Sequence, residues 1–522
     1  MLTETLEDEA PMMDLIFGQK MGSLRNVYLD VVILMLGLLL PDHAGKCHAQ
    51  ALDEVRLELN RAVEFFRTQV SVAGGYVYQY SSDLKRREGE GAVGPHTVWI
   101  EAPGTPFVGQ ALLTAFQYCR EPQLILAAKE TADALIQGQL ESGGWDNRIE
   151  FADQDRRAYR YRVALTGPED GIEQVKQKNT TTLDDNKSQL ACRFLMNLDK
   201  QVNFSDHRVH EAAIYALDRF VSAQYSNGAW PQRYQDFNHR EKSTHVKATI
   251  PVAWSREYPG DKYADFYTLN DDTISDMILL MLDAWEIYAD RRYLESAKRG
   301  GDFLLLAQLP EPQPGWAQQY DQQMHPAWAR KFEPPAITGG ESQVVMKTLM
   351  TLYRRLAGQD TDARKYLSSI PKALNYYRKS LLPDGRLARF YELGSNRPLY
   401  MNQQYKLTYE NDDLPDHYAF VVSSKLERLR REYDEISVLP IDELWEAPRV
   451  RPPDRSSAKN REVAQILAQI DSRGAWVEAG KLKYHGKKDP TREVIKTSRF
   501  CSNILTLSGW LGNEDSNKSV AD

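Results

Sequence analysis

Two short acidic runs and one arginine carry the side chains best suited to chemistry. Asp185 and Asn186 place two oxygen donors side by side, and Asp184 adds a third. Asn270-Asp271-Asp272 supplies two more carboxylates at the start of an apolar-periodic run. Either run also reads as a helix N-cap, because Asp and Asn accept hydrogen bonds from the first free amides of a helix. The arginine, Arg330, lies in Gly315 to Ser342, GWAQQYDQQMHPAWARKFEPPAITGGES, a stretch with two Trp, four Gln, one His, one Asp and two Glu. Pro326, Pro334, Pro335 and Gly339-Gly340 interrupt regular structure there. A loop of this length inside a compact domain is either functional or disordered, and its aromatic content argues for order. The plain alternative is a rigid connector with Arg330 and Glu333 in a surface ion pair.

Three blocks in order resemble the pectic acid lyases, polysaccharide lyase family 10: Leu183 to Asn186; Ala229-Trp230-Pro231-Gln232 followed by Asn270-Asp271-Asp272; and the Gly315 to Ser342 loop, with its P-x-W-A-R-x-[FY]-E pattern. They span roughly residues 180 to 375. The resemblance implies β-elimination on a polymer of galacturonate. The proton on carbon 5 is acidified, a base removes it, and the oxygen on carbon 4 departs. A divalent cation on the carboxylate stabilises the enolate-like charge. Calcium suits that role because it accepts many oxygen ligands in flexible geometry. By resemblance, Asp185, Asp271 and Asp272 hold calcium and substrate, and Arg330 is the base. A guanidinium is normally charged, so Arg330 acts as base only with a strongly lowered pKa or in alkaline conditions. Otherwise it stabilises charge while hydroxide or water takes the proton. Gln318, Gln319, Asp321, Gln232, Tyr320 and Glu341 are expected to contact substrate, with Trp230 and Trp316 walling the cleft. Tyr320 stands where the family commonly has His, and a long insertion follows Gln232.

Two other readings compete. One is a glycoside hydrolase on the same fold, with Asp185 and Asp272 as paired carboxylates and Asp321 or Glu333 as alternates. The other is a non-catalytic carbohydrate-binding homologue.

The elements that must position these groups are helices. Helical segments end in similar punctuation at Gly74-Gly75-Tyr76, Gly143-Gly144-Trp145, Gly228-Ala229-Trp230, Gly315-Trp316, Asp384-Gly385 and Gly474-Ala475-Trp476. Trp145, Trp230 and Trp316 are 85 and 86 residues apart, a repeat spacing. Apolar periodicity predicts about twelve helices: 52–70, 106–119, 123–140, 187–199, 207–225, 272–290, 292–309, 341–357, 363–381, 414–433, 459–471 and 493–511. Thr105 is expected to cap one of them, with Pro106 at its first position. The fold class is all-α, an α/α toroid of about six helical hairpins with aromatic-rich loops at one rim. Rim segments rich in Tyr and Arg, including the insertion with His239, His245 and Arg256, suit sugar rings and uronate carboxylates.

The 522 residues are 42% hydrophobic and 10% aromatic, ample for a large core. A net charge of −8 argues against nucleic acid as a partner. Arg25, the apolar run Val31 to Leu40 and Ala49-Gln50-Ala51 resemble a signal peptide, which implies a secreted or periplasmic protein with no membrane span once it is removed. The domain reading is a leader at 1–51, a toroidal catalytic domain at 52–448, and C-terminal helices at 449–522 that complete the ring or extend a five-unit ring. Cys119, Cys192 and Cys501 read as core residues. The expected partner is an acidic polysaccharide, and the expected state is a monomer.

Overall fold

Each apolar-periodic run becomes a helix because one face can be buried only against a neighbouring helix. The computed structural model describes residues 41–163, 177–237, 244–260, 263–447, 450–453 and 457–518. The leader core Val31 to Leu40 and His239 lie outside the described residues. The chain divides into two compact units, Met1–Leu57 and Glu58–Asp522. All that follows concerns the second.

Twelve α-helices of ten residues or more are described: α1 (Pro41–Phe65), α2 (Thr105–Cys119), α3 (Pro122–Gln137), α4 (Lys187–Gln201), α5 (His207–Ala223), α6 (Thr273–Tyr288), α7 (Arg291–Leu306), α8 (Glu341–Leu356), α9 (Ile370–Lys379), α10 (Leu426–Val438), α11 (Ser457–Gln469) and α12 (Thr497–Lys518). Helices α2, α4, α6 and α8 pack side by side, each followed by a partner that runs back outside it. This is an α/α toroid of helical hairpins. The sixth hairpin joins the two ends of the chain. Helix α12 packs on α2, and the Phe500 ring stacks on Phe66, just beyond α1, with centroids 3.6 Å apart.

One turn is repeated after four of the outer helices. Leu140 accepts from Gly143 and donates to Gly144, and Tyr225 with Gly228 and Ala229, Leu382 with Gly385 and Arg386, and Asp471 with Gly474 and Ala475 do the same. The turn needs a left-handed residue: Gly143 and Gly228 have φ of 111° and 96°. A Cβ at Gly228 would also fall 2.0 Å from the Arg299 carbonyl oxygen, so only glycine fits. The following Trp side chain enters the core. Trp145, Trp230, Trp316 and Trp476 donate their indole N–H to backbone oxygens of Leu135, Phe220, Leu304 and Ile466 in the preceding outer helix.

A hydroxyl near the start of the next inner helix fastens this turn. Ser188 Oγ accepts from Trp145 N, and Ser342 Oγ accepts from Trp316 N. Thr105 does the same for Tyr76, so the residue before α2 is Gly104, and Thr105 ties two segments together instead of capping its own helix.

The rim carries short strands that helical periodicity alone did not reveal. Antiparallel pairs join the segment before an inner helix to the segment after its turn: β3 (Thr97–Trp99) with β4 (Arg148–Glu150), β5 (Thr181–Thr182) with β6 (Arg233–Tyr234), β7 (Tyr267–Thr268) with β8 (Gln319–Tyr320), and β9 (Ala336–Thr338) with β11 (Phe390–Glu392). In the sixth hairpin β1 (Gln79–Ser81) pairs with β16 (Glu493–Lys496). These ribbons hold the rim loops at a fixed height above the helix ends. Several helix boundaries differ from the periodicity reading. The 52–70 run begins earlier, at Pro41, and its α-helix ends at Phe65. The 363–381 run splits into a 3₁₀ turn at Ala363–Leu367 and α9, the helix expected at 414–433 begins only at Leu426, after β14 (Val421–Val422), and that expected at 493–511 begins at Thr497, after β16. Cys119, Cys192 and Cys501 are buried in the core.

Candidate active site

The site forms where two neighbouring repeats present the same turn. Leu183 and Leu269 each donate their backbone N–H to a glutamine carbonyl of the next turn, Gln232 and Gln318. One 3₁₀ turn, Asp184–Asn186, precedes α4, and another, Asn270–Asp272, precedes α6. In each the last two residues are left-handed: Asp185 and Asn186 at φ 50° and 56°, Asp271 and Asp272 at φ 49° and 56°. Asp and Asn tolerate this region better than other non-glycine residues. The turn therefore cannot be absorbed into the helix, and the carboxylates are presented instead of wrapped into its first turn.

Asp184, Asp185 and Asp271 each offer an oxygen within 4.8 Å of the others. Asp184 takes Gln232 Nε2 at 2.8 Å and Arg233 Nη2 at 3.2 Å. Asp185 takes Lys187 Nζ at 2.9 Å. Asp271 accepts from Asn270 Nδ2 at 2.9 Å and lies 3.9 Å from Arg330 Nη2. Burial, then the charges of Asp185 and Asp184, push its carboxyl up to about 8. Each carboxylate of the trio has one cationic side chain near it: Arg233, Lys187 and Arg330. In the Asp184–Asn186 turn the carbonyl oxygen of the Asn186 side chain is buried without a hydrogen-bond partner. An all-oxygen donor set of three carboxylates and an amide oxygen fits a hard divalent cation such as calcium.

Arg330 is held from behind. Its backbone N and Nε donate to Glu333 Oε2 at 3.0 and 2.8 Å, and its Nη2 donates to Oε1. Glu333 has no exposed surface and also accepts from Asn270 Nδ2 and the Tyr418 hydroxyl, each at 3.2 Å. Phe332 and Tyr418 lie under the guanidinium, at 5.0 and 6.0 Å from their ring centroids. Burial alone would lower the Arg330 pKa. The hydrogen bonds and charge of Glu333, with Asp271, outweigh it, so the pKa lies above the ordinary guanidinium value.

The structure brings together Arg330, Asp185 and Asp271, and adds Asp184. Asp272 is not part of the trio. Burial and the charges of Asp276 and Glu341 push its carboxyl up to about 7, and its nearest compensating cations are Lys425 and Arg389. Trp230 and Trp316 are not cleft walls. Both are fully buried, because an indole that caps the preceding outer helix cannot also face solvent. Tyr320 is likewise core, its hydroxyl donating to the Ala307 oxygen and accepting from Ala317 N.

Gln232, Gln318, Gln319 and Glu341 are buried supports beneath the surface. Gln318 Nε2 lies 2.9 to 3.0 Å from Asn270 Oδ1, Glu341 Oε1 and the Tyr418 hydroxyl. Gln319 Nε2 donates to the Ala327 oxygen, and Glu341 also takes Arg389 Nη1 at 2.9 Å. Asp321 folds its own turn, accepting from Gln323 and His325 amides. The long insertion braces the Arg330 loop: Thr249 N donates to the Met324 oxygen, and Trp328 Nε1 donates to the Ser255 oxygen.

Arg233, Lys187, Tyr418 and Arg389 escaped sequence reasoning. Arg233 adjoins the matched Trp230-Pro231-Gln232 block and Lys187 adjoins Asn186, so proximity was the available signal. Tyr418 ends one of the Tyr-rich rim segments, Phe390 to Tyr418, a signal for the segment but not for the residue, and Arg389, just before it, had none.

The comparisons bear on this arrangement. The profile of the pectic acid lyase family matches residues 139–417, more than half of the chain. A search of curated protein sequences finds no significant match. Among solved structures, a family 10 polysaccharide lyase from Cellvibrio cellulosa is 18% identical, covering 62% of this chain and 95% of its own, with a TM-score of 0.42. A mutant of a family 10 polysaccharide lyase from the same organism, in complex with trigalaturonic acid, is 17% identical over 64% of this chain and 97% of its own, at 0.41. Cellobiose 2-epimerase from Bacillus thermoamylovorans is 11% identical over 88% and 99%, at 0.42. Among the described residues no helix is long and apolar enough to cross a membrane. The chain belongs to the pectic acid lyase family and is a polysaccharide lyase.

Proposed function

We propose that this lyase cleaves a galacturonate-like acidic polymer by β-elimination, assisted by a divalent cation, with calcium the best fit to the donors. The observation that carries the reading is the convergence at Asp271. Its Oδ2 lies 3.9 Å from the Arg330 guanidinium, and its carboxylate shares a space under 5 Å across with those of Asp184 and Asp185. Asp184, Asp185 and Asp271 would hold the cation, which supplies stabilisation for the charge that develops on the uronate carboxylate.

The chain's own residues do the rest. Arg330 presents a fixed positive charge to the reacting uronate, and Arg233, beside Asp184, offers a second. The carbon 5 proton leaves to hydroxide, because Glu333 keeps Arg330 protonated. The carbon 4–oxygen bond breaks as the carbon 4–carbon 5 double bond forms, and the departing oxygen takes a proton from solvent. Substrate recognition falls to side chains with accessible surface, Arg330, Arg233 and the rings of Phe332 and Tyr405, and not to Trp230 or Trp316. The leader-like segment from Arg25 to Ala51 assigns the chain to the secreted or periplasmic space, where it acts as a monomer.

The test is ultraviolet absorbance of unsaturated uronides after incubation with polygalacturonate, with calcium and with a chelator. Calcium-dependent absorbance that Arg330→Ala abolishes is the expected result. Reducing ends without unsaturation would make the protein a hydrolase and end the proposal.

A further inference from the structure

Lys187 follows the Asp184–Asn186 turn directly. Its side chain is 2% exposed, yet its ammonium lies 2.9 Å from Asp185 Oδ2 and 2.9 Å from Glu101 Oε2. A buried ammonium is tolerated only when it is paired. Here it is paired twice, once with an acid of the trio and once with an acid from another repeat. Glu101 lies between β3 and α2, outside the 139–417 segment that matches the family.

The ammonium occupies one oxygen of Asp185, and it adds a positive charge beside the space where a divalent cation would sit. Like charges at this range repel. Glu101 pulls the other way, because it shares the ammonium and contributes its own negative charge.

We propose that Lys187 is a resident counter-cation, a positioning residue that fixes the Asp185 carboxylate and weakens divalent cation binding, and that Glu101 of the N-terminal repeat sets how far. The inference rests on the reading of Asp184, Asp185 and Asp271 as the cation site. It gives the N-terminal repeat a part in the site besides closing the ring.

The experiment is calorimetric titration of the full chain with calcium chloride, without substrate, for the wild type, Lys187→Met and Glu101→Gln, with thermal unfolding as the check on folding. Lys187→Met should bind calcium at least about tenfold more tightly, the floor set by one charge about 5 Å from a divalent ion at the dielectric of water. Glu101→Gln should bind several-fold more weakly. A purely structural ion pair would give two destabilised proteins with unchanged affinity. A folded Lys187→Met with wild-type or weaker affinity overturns the inference and leaves the elimination reading intact. Should Lys187→Met fail to fold, Glu101→Gln decides alone, and unchanged or tighter binding in it overturns the inference. No binding in any of the three, with no calcium-dependent unsaturated product, overturns both.

Discussion

Replacing Glu333 by Gln tests what Arg330 does. The carboxylate is fully buried and accepts from Arg330 N, Nε and Nη2, from Asn270 Nδ2 and from the Tyr418 hydroxyl. Gln keeps the shape but removes the charge, and it turns one of the two oxygens into a donor facing other donors. Breaking a buried ion pair costs about 3–5 kcal/mol, but the Arg330 side chain is 40% exposed and water takes over part of its solvation. A loss of about 2 kcal/mol in stability is therefore expected. Because the folded Arg330 pKa is raised, the stability from this pair is complete below the ordinary guanidinium value and is lost only as pH rises through the higher folded value. The loss measured by urea unfolding should thus be equal in mildly acidic and mildly alkaline buffer. In the elimination assay across about pH 6 to 10, kcat/KM should fall about a hundredfold as the guanidinium loses its fixed position, with the shape of the pH profile unchanged. If Arg330 must instead be neutral to take the proton, removing Glu333 makes neutrality easier. Activity would then persist, with its alkaline rise moved a unit or more toward lower pH. That outcome would refute the assignment of Arg330 as a fixed charge.

Asp271→Asn should reduce calcium affinity at least tenfold by calorimetry, since it removes one of three charged donors. It should also flatten the pH dependence of the calcium-free protein. A carboxyl raised to about 8 when folded contributes stability below its unfolded value that is lost as pH rises toward 8, an effect of about 1–3 kcal/mol after discounting for partial exposure. Urea unfolding at the two ends of that window measures it, and an unchanged slope in the variant would place the acidic strain elsewhere. Trp316→Ala should cost about 3–5 kcal/mol of stability, because it empties a core site and orphans the Leu304 carbonyl. A variant of normal stability that has lost substrate affinity would return Trp316 to the cleft.

The fold was legible because repetition is a property of sequence spacing. Trp145, Trp230 and Trp316 recur at a near-constant interval, and their periodic helices followed. Their role was not legible, because a tryptophan at a helix-end turn can stack on a sugar or fill a core with the same neighbours in sequence. Only the indole bonds to the preceding helix, at Phe220 and Leu304, decide it. The two acidic runs were singled out in the sequence and the structure sets them side by side, but which acid of the second run approaches the first was not legible. That depends on the left-handed backbone at Asp271 and Asp272, which points consecutive carboxylates to different neighbours. The rim strands were missed because segments of two to four residues carry too little alternation to register. Tyr418, Arg389 and Glu101 reach the site region from other parts of the rim; the Tyr-rich pattern marked the segment that holds Tyr418 but not its place, and no local pattern announced Arg389 or Glu101.

The two equivalent turns differ at two positions, Asp184 against Asn270 and Asn186 against Asp272, and the first difference accounts for the site's asymmetry. The turns at Asp184 and Asn270 occupy equivalent places in successive repeats, each facing the side-chain amide of its glutamine, Gln232 or Gln318. Asp184 can only accept, so it joins Asp185 in collecting positive charge from Arg233 and Lys187. Asn270 also donates, and it spends that capacity on Glu333 and on Asp271. On the proposed reading the first turn holds the cation, while the second anchors the acid that holds Arg330. Asp271 stands where the two meet, with an oxygen within 4.8 Å of those of Asp184 and Asp185 and 3.9 Å from the Arg330 guanidinium. An Asp at 270 would set a third carboxylate against Glu333 and Asp271 with no hydrogen to offer either, and the anchor for Arg330 would fail.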